Sequence, residues 1–390
     1  FVNSAVQVIG GSIGTNAGAD TIRLLNGVLN AYVGGGADND SIAISGAQTN
    51  VTATGGKGAD TIIIGAGTAS LSTISGGDGH DRMLLTAAAG SNSYVATGGK
   101  GADSIRLGSA LFASIAGGGL ADTINFLDAD FGGGKIYLDG IGVTTAGTGT
   151  GGAADGNDLV MATKTTFGVA TSIYGGGGAD TIKLSGNFSD AGLGHLIDGG
   201  DGADLIGKST VDFVNAASGV SILGGAGNDT IKLERGATKL YINGGAGADS
   251  IFAATGIDSF SVLGGNGADT MTLVDNGYAK TSAGAYFDGG SGVDVFNQNA
   301  FLTAIAITSV LTKQSLANIA YGSGDIINLT TAGGSKVIAA GFTTINLGQS
   351  VPHIYITSTL TALQGVAKGS GATKASGLFG TTKAGTVAVW

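Results

Sequence analysis

Thirteen aspartates recur along this 390-residue chain at a spacing that unrelated loops would not keep. Successive members stand 19 to 25 residues apart, except for one gap of 36 residues between Asp122 and Asp158. Aspartate is the short, turn-seeking carboxylate of oxygen-liganded calcium sites, and Glu234 is the single glutamate among 28 acidic residues. The spacing therefore indicates stacked turns that collect carboxylates. The thirteen positions are Asp20, Asp40, Asp60, Asp81, Asp103, Asp122, Asp158, Asp180, Asp204, Asp229, Asp249, Asp269 and Asp294.

A short strand is predicted directly after each of these aspartates. An apolar residue stands two positions after each Asp, and in most repeats a second one stands two positions further on, which is the period-2 alternation of a half-buried strand. A second apolar run precedes the next glycine pair, as at Ser221-Ile222-Leu223. The first apolar positions are Ile22, Ile42, Ile62, Met83, Ile105, Ile124, Val160, Ile182, Ile206, Ile231, Ile251, Met271 and Phe296.

Two strands and two turns in each repeat predict an all-β fold, a parallel β-solenoid of about 20 residues per coil and about 13 coils. At about 4.8 Å per coil, such a stack is roughly 60 Å long. The composition agrees, because 76 glycines disfavour helices, and 43% apolar residues can bury a core. A single proline and the lack of a three-residue glycine period exclude collagen.

The repeat covers residues 1–299, which we expect to form the solenoid, with residues about 140–154 as a loop insertion inside the long gap. Residues 300–390 lose the repeat and are expected to form a C-terminal β cap or small β assembly domain. The charge is split in the same way. Residues 1–300 hold 27 acids and 13 bases, net −14, whereas residues 301–390 hold one acid and five lysines, net +4.

The repeated Gly-Gly-x-Gly-x-Asp-x-(apolar)-x pattern resembles the nonapeptide of the RTX, or haemolysin-type, calcium-binding β-roll. Nine turns match all the fixed turn positions, and the resemblance extends over about residues 15–296. It implies Ca²⁺ as cofactor, held between stacked turns by carboxylates and by backbone carbonyls that the glycines orient. The implied ligand aspartates are Asp60, Asp81, Asp103, Asp180, Asp204, Asp229, Asp249, Asp269 and Asp294. The implied turn glycines are Gly56, Gly58, Gly77, Gly79, Gly99, Gly101, Gly176, Gly178, Gly200, Gly202, Gly225, Gly227, Gly245, Gly247, Gly265, Gly267, Gly290 and Gly292.

The chain departs from this family because only one half of each coil carries the motif, so we expect one row of calcium along one edge and an ion-free opposite edge. Four turns are degenerate and are not counted among the implied calcium sites; they end in Asp20, Asp40, Asp122 and Asp158. The alternative is a metal-free ladder in which each carboxylate accepts backbone N–H groups of its own turn. Carboxylates about 4.8 Å apart would repel by roughly 3.5 kcal/mol per pair at a dielectric of about 20, which favours a divalent ion between them.

Other chemistry is weakly represented, and we expect no enzyme activity. His80, His195 and His353 are scattered and read as surface or turn residues. The glycine runs lack the Gly-Lys-Ser/Thr of a phosphate-binding loop, and acid pairs such as Asp198 and Asp201 have no accompanying glutamate or arginine cluster. The acidic balance argues against nucleic-acid binding, and the longest apolar run is too short to span a bilayer.

These features predict a secreted, calcium-stabilised structural protein: a self-assembling subunit of a bacterial surface layer (S-layer), sheath or extracellular filament, exported by type I secretion. The expected partners are other copies of the chain, with cell-surface polysaccharide as a further candidate. One alternative is the repeat region of an RTX adhesin, toxin or exoenzyme whose active part lies elsewhere; a third is a polysaccharide-active β-helix enzyme. Because the chain starts at Phe1, we expect a processed or partial product.

Overall fold

The structure is a computed structural model, and it describes most of residues 1–299 and five short strands beyond. The described ranges are 1–5, 7–65, 67, 69–86, 93–108, 112–127, 130–139, 156–188, 194–207, 218–233, 238–254, 258–274, 286–292, 294–299, 326–329, 336–339, 344–347, 353–356 and 362–364. Contacts divide the chain into two compact units, Phe1–Leu205 and Ile206–Trp390. The predicted fold class is confirmed, because these ranges form a parallel β-solenoid of about 21 residues per turn without a helix.

The first unit consists of two columns of stacked strands. One column holds β1 (Val2–Ser4), β3 (Thr21–Leu24), β5 (Ser41–Ile44), β7 (Thr61–Ile64), β9 (Arg82–Leu85), β11 (Ser104–Leu107), β13 (Thr123–Leu127) and β16 (Thr181–Phe188). The other holds β2 (Val8–Gly14), β4 (Val28–Ala37), β6 (Gln48–Lys57), β8 (Ala69–Asp78), β10 (Ser93–Lys100), β12 (Phe112–Gly119), β14 (Asp130–Asp139) and β17 (His195–Asp201). The 19-residue strand β15 (Leu159–Gly177) contributes to both columns.

The second unit also consists of a column of longer strands and a column of shorter strands. Strand β18 (Leu205–Gly207) lies at the boundary between the two units in the sequence. Its longer strands are β19 (Ser218–Ala226), β21 (Thr238–Ala246), β23 (Asp258–Asn266) and β25 (Tyr286–Ser291). Its shorter strands are β20 (Thr230–Leu233), β22 (Ser250–Ala254), β24 (Thr270–Val274) and β26 (Val295–Asn299). The strands that follow are β27 (Ile326–Leu329), β28 (Lys336–Ala339), β29 (Thr344–Leu347), β30 (His353–Ile356) and β31 (Ala362–Gln364).

Equivalent residues of successive coils pair in parallel register, so each column stacks like residues on like. Ile22 pairs with Ile42, and Ile42 pairs with Ile62. The same holds in the second unit, where Ile231 pairs with Ile251. Since the repeat sets this register, one inward residue per coil is enough to build a continuous apolar row.

The core lies between the two columns, and the first apolar residues after the aspartates are buried as predicted from Ile22 to Met271. In the first unit, Ile42 and Ile62 are fully buried, and so is Ile115 of the facing column. Burial of one such side chain is worth about 1.5–3 kcal/mol, so each coil is stabilised mainly by covering its neighbours. Phe126 and Phe167 add an edge-to-face contact with ring centroids 6.0 Å apart.

Two sequence predictions fall on residues that the structure leaves undescribed. The insertion at residues 140–154 lies outside the described ranges, and most of the C-terminal cap at residues 300–390 does too. The described strands beyond residue 299 pair in parallel, with Val295 opposite Ile326 and Ile326 opposite Thr344. The parallel stacking of the second unit therefore continues past Asn299.

Candidate functional site

The candidate site is the row of glycine turns that joins the end of each longer strand to the following short strand. In the turn between β6 and β7, Gly56 has φ 118° and Gly58 has φ 120°, a backbone region that favours glycine. All eighteen turn glycines named from the sequence have a positive φ. The sequence pattern therefore located the turn backbone correctly in all nine matching repeats.

Close contact between coils gives a second reason for glycine in these turns. A Cβ on Gly56 would lie within 3.0 Å of the Gly36 carbonyl of the preceding coil. A Cβ on the first glycine of the pair, such as Gly76, would meet Oδ2 of Asp81 and the carbonyl oxygen of Gly98 at similarly short distances. The missing side chain thus leaves room for a carboxylate oxygen and a carbonyl oxygen.

The repeated aspartates form a hydrogen-bonded ladder within each unit. The backbone N–H of Asp40 donates to Oδ1 of Asp60 at 2.7 Å, and that of Asp60 donates to Oδ1 of Asp81 at 2.7 Å. In the first unit the ladder runs through Asp20, Asp40, Asp60, Asp81, Asp103, Asp122, Asp158, Asp180 and Asp204, at 2.6–2.8 Å. In the second unit it runs through Asp229, Asp249, Asp269 and Asp294, at 2.8 Å.

The direction of these bonds corrects one expectation. The metal-free alternative placed each carboxylate on N–H groups of its own turn, but the carboxylates from Asp40 to Asp204 and from Asp249 to Asp294 accept the N–H of the equivalent aspartate one coil earlier. The carbonyl of Asp40 in return accepts the N–H of Thr61, at 2.8 Å. Side chain and backbone together therefore join neighbouring coils, because the coil spacing lets a carboxylate reach the adjacent turn.

The three degenerate turns that end in Asp40, Asp122 and Asp158 take part in the same ladder, with side chains 1–4% exposed. Asp38 and Leu120 replace the third glycine of two of these turns, and both residues adopt positive φ, 75° and 67°. Asp20 donates to Asp40 but is itself partly exposed. A turn therefore needs only its aspartate to take part in the ladder, and glycine at the third position lowers the backbone strain of the turn.

Burial raises the pKa values of several ladder carboxylates, namely Asp60, Asp81, Asp103, Asp204, Asp249 and Asp269. Desolvation by burial raises the pKa of Asp81 to about 7; the N–H of Asp60 opposes the rise, and the charges of Asp103 and Asp60 add to it. Desolvation also raises the pKa values of Asp103, Asp249 and Asp269 to about 6. A charged ladder is therefore unfavourable unless a proton or a cation compensates it.

Each of several ladder carboxylates has one oxygen that lacks a hydrogen-bond donor. Oδ2 is buried and has no hydrogen-bond partner among the described residues at Asp40, Asp60, Asp81, Asp103, Asp249 and Asp269. No group of three or more His, Cys, Asp or Glu side chains that could hold a metal occurs in the described part of the chain. A metal here would need backbone oxygens as well, and an all-oxygen donor set suits calcium or magnesium rather than zinc or copper.

A second set of side chains lies on the outer side of the same turns. Asn39 Oδ1 accepts the N–H of Ala59 at 2.8 Å, and His80 Nδ1 accepts that of Ala102 at 2.8 Å. His80 is thus an exposed turn residue, as predicted. His195 is not, because it is 1% exposed and its Nδ1 accepts the N–H of Thr171 at 3.2 Å.

The strand pairing adds one repeat that the sequence analysis had assigned to the C-terminal cap. Strand β27 begins one residue after Asp325, as β26 begins one residue after Asp294, and the two strands pair in register. Asp325 itself lies outside the described residues. The apolar residues Ile327 and Leu329, two and four positions after it, were the signal that the repeat continues.

No protein-family model matches the chain, and no curated protein matches its sequence. The RTX resemblance accordingly stays a prediction. The described part of the chain contains no helix long and apolar enough to cross a membrane.

Proposed function

We propose that this chain is a secreted structural protein of the RTX type, a calcium-stabilised subunit of a surface layer, sheath or extracellular filament that assembles outside the cell. The observation that supports this proposal best is the carboxylate ladder within each unit. It places a buried acidic group in each coil from Asp40 to Asp204 and from Asp229 to Asp294, and within each unit it couples neighbouring coils through backbone hydrogen bonds. A cation that compensates these charges would therefore stabilise the stack as a whole.

The residues fit calcium in their chemistry. Two kinds of oxygen atom are available: Oδ2 of ladder residues such as Asp81 and Asp103, and backbone carbonyl oxygens of the turns. For example, Oδ2 of Asp81 and the carbonyl oxygen of Gly98 both lie beside Gly76. When bound, calcium would supply positive charge against the buried carboxylates. The chain's own groups do the rest: Oδ1 holds the neighbouring N–H, and the glycines keep side chains out of the turn.

This arrangement would couple export to folding. Without a compensating cation at neutral pH, the desolvated carboxylates oppose the stacking of coils, so the chain would stay loosely folded in a calcium-poor cytoplasm and during type I secretion. Calcium outside the cell would then favour the stacked state, because binding energy becomes folding energy. The C-terminal residues 301–390, net +4, would interact with the acidic repeats of another copy during assembly.

Calcium titration of the purified, full-length chain tests this proposal. Circular dichroism would report folding, and light scattering with electron microscopy would report assembly, each in excess chelator, in calcium and in magnesium. We expect β signal and large particles in calcium and loss of both in chelator. An unchanged β signal and unchanged particle size in chelator would contradict the mechanism. Calcium-dependent folding without assembly would favour the repeat region of an RTX exoprotein instead.

A matched pair of variants separates calcium binding from general charge effects. The Asp81→Asn/Asp103→Asn variant removes two buried ladder charges and keeps an oxygen that can accept the N–H. The Asp38→Asn/Asp78→Asn variant removes two exposed charges from the same region. Only the first should gain less stability when calcium is added; equal gains in the two variants would argue against a ladder site.

A further inference from the structure

The first unit carries an unpaired basic face on the outer side of its short strands. Six successive strands, β3, β5, β7, β9, β11 and β13, each present two outward residues between their buried ones. Three of these twelve positions are arginine and none is acidic. The twelve residues are Thr21, Arg23, Ser41, Ala43, Thr61, Ile63, Arg82, Leu84, Ser104, Arg106, Thr123 and Asn125.

The strand register fixes the spacing of the three guanidinium groups. Arg23 and Arg106 stand in the same row, separated by the positions of Ala43, Ile63 and Leu84. Four strand spacings place their Cα atoms about 19 Å apart. Arg82 lies in the adjacent row, one coil before Arg106, opposite Ser104.

These arginines are exposed and have no carboxylate partner in the described part of the chain. None of the three takes part in an ion pair there, whereas Lys100 on the turn edge pairs with Asp78 at 3.2 Å. The formal charge of −10 does not describe this face, because twelve of the 28 acidic residues are ladder aspartates with buried side chains. The guanidinium groups are therefore available to an external anion.

We propose that this face, Arg23, Arg82 and Arg106 with the hydroxyl groups between them, binds an anionic polysaccharide that runs along the stack. Guanidinium groups bind carboxylate, sulfate and phosphate groups with paired hydrogen bonds. Since the arginines extend over about 19 Å in a strip two residues wide, they fit an extended, repetitive polyanion better than a single small ion.

Charge and composition favour a polysaccharide over other polyanions. None of the twelve positions is aromatic, although base stacking on aromatic rings dominates single-stranded nucleic-acid binding. In another copy of the chain, the exposed carboxylates of the described residues stand singly on turns, at Asp38, Asp78 and Asp201, and do not form a row that matches the arginine strip; Asp78 is also paired with Lys100. The choice of polysaccharide rests on the proposed extracellular function, whereas the anion-binding property of the face does not.

Binding of the full-length chain to immobilised dextran sulfate and polygalacturonate, with neutral dextran as reference, tests the inference in calcium-containing buffer. The Arg23→Gln/Arg82→Gln/Arg106→Gln variant should bind the two anionic polymers roughly tenfold more weakly, because it loses three solvent-exposed ion pairs with the polymer. The Lys57→Gln/Lys100→Gln/Lys135→Gln variant removes the same charge from other exposed sites and should bind like the unaltered protein. Binding should also weaken as salt rises from about 0.1 M to about 1 M.

Several outcomes would overturn the inference. Equal losses in the arginine and lysine variants would show that only overall charge matters. Equal binding to neutral dextran, or no binding by the folded unaltered chain, would exclude the assigned ligand. Stronger arginine-dependent binding to duplex DNA or to anionic lipid vesicles would reassign the face to that ligand. Circular dichroism of each variant confirms that the comparison is between folded proteins.

Light scattering on the same samples separates this inference from the proposed function. An unaltered chain that assembles in calcium but binds no anionic polysaccharide would overturn the inference alone. A chain that binds the polymer through the arginines but neither folds nor assembles in response to calcium would overturn the proposed function alone.

Discussion

The backbone N–H of Asp60 donates to Oδ1 of Asp81, 2.7 Å away in the next coil. This bond joins residues 21 positions apart in the sequence, and its equivalents join all the ladder aspartates of the first unit. It uses one oxygen of a carboxylate that is 2% exposed and leaves the other without a described hydrogen-bond donor. The buried carboxylate thus stabilises the neighbouring backbone while its own charge is destabilising.

Substitution of Asp81 should separate these two roles. Asp81→Ala removes the acceptor of the Asp60 N–H, which should lower the free energy of unfolding by about 1–3 kcal/mol relative to Asp81→Asn, which keeps an acceptor. In chelator at neutral pH, Asp81→Asn should be at least as stable as the unaltered chain, because it removes a desolvated charge. Urea unfolding followed by circular dichroism measures both. Equal stability of the two variants would contradict the role of the hydrogen bond.

The raised pKa values predict an unusual dependence of stability on pH in the absence of metal. Burial raises the pKa of Asp81 from 3.8 to about 7 and those of Asp103, Asp249 and Asp269 to about 6. The folded state therefore binds more protons than the unfolded state between about pH 4 and 7, so its stability is full below pH 4 and falls as pH rises. Each tenfold difference in proton affinity between the folded and unfolded states changes the free energy of unfolding by about 1.4 kcal/mol.

Unfolding in chelator at several pH values between 4 and 8 measures this decline, with a parallel series in calcium. If the ladder binds calcium, the calcium series should lose less stability towards pH 8, because the ion favours the charged carboxylates. Stability that rises with pH in chelator would show that the ladder is not buried as described.

The first glycine of each turn should tolerate no side chain. Gly76→Ala would place a Cβ within 3.0 Å of Oδ2 of Asp81 and of the Gly98 carbonyl, so we expect a loss of about 1–3 kcal/mol or more in unfolding free energy. Gly108→Ala is the matched control, since its nearest described atom would be 3.4 Å away. Thermal and urea unfolding compare the two. Similar effects would contradict the close approach of the ladder carboxylate to the glycine.

A stabilising substitution is expected at Leu120. This residue has φ 67° at the position that glycine occupies in the matching turns, and its side chain is 41% exposed. Leu120→Gly should relieve backbone strain and raise the unfolding free energy by about 1 kcal/mol. Asp38 also has a positive φ, of 75°. The Asp38→Gly variant should raise the unfolding free energy by less than Leu120→Gly, because it also loses the hydrogen bond from the Gly18 N–H to Asp38 Oδ2. Destabilisation by Leu120→Gly would indicate that leucine contributes packing there.

Much of this protein could be predicted from its sequence because a repeat supplies the same information many times. The alternation after each aspartate identified the buried row that contains Ile42 and Ile62, and the glycine pattern identified turn positions such as Gly56 and Gly58. Periodicity also implies parallel register, since equal coils stack like residues on like. These features are local, and the sequence by itself determined them.

Only the tertiary structure decided where the polar groups of each turn go. Whether Asp81 bonds to its own turn or to Asp60 depends on the coil spacing and the direction of the side chain, which local pattern does not encode. The burial of His195 and the inclusion of Asp122 in the ladder likewise follow from neighbouring coils. Burial also separates the formal charge from the surface charge: the ladder aspartates face the core, whereas Arg23, Arg82 and Arg106 face outward.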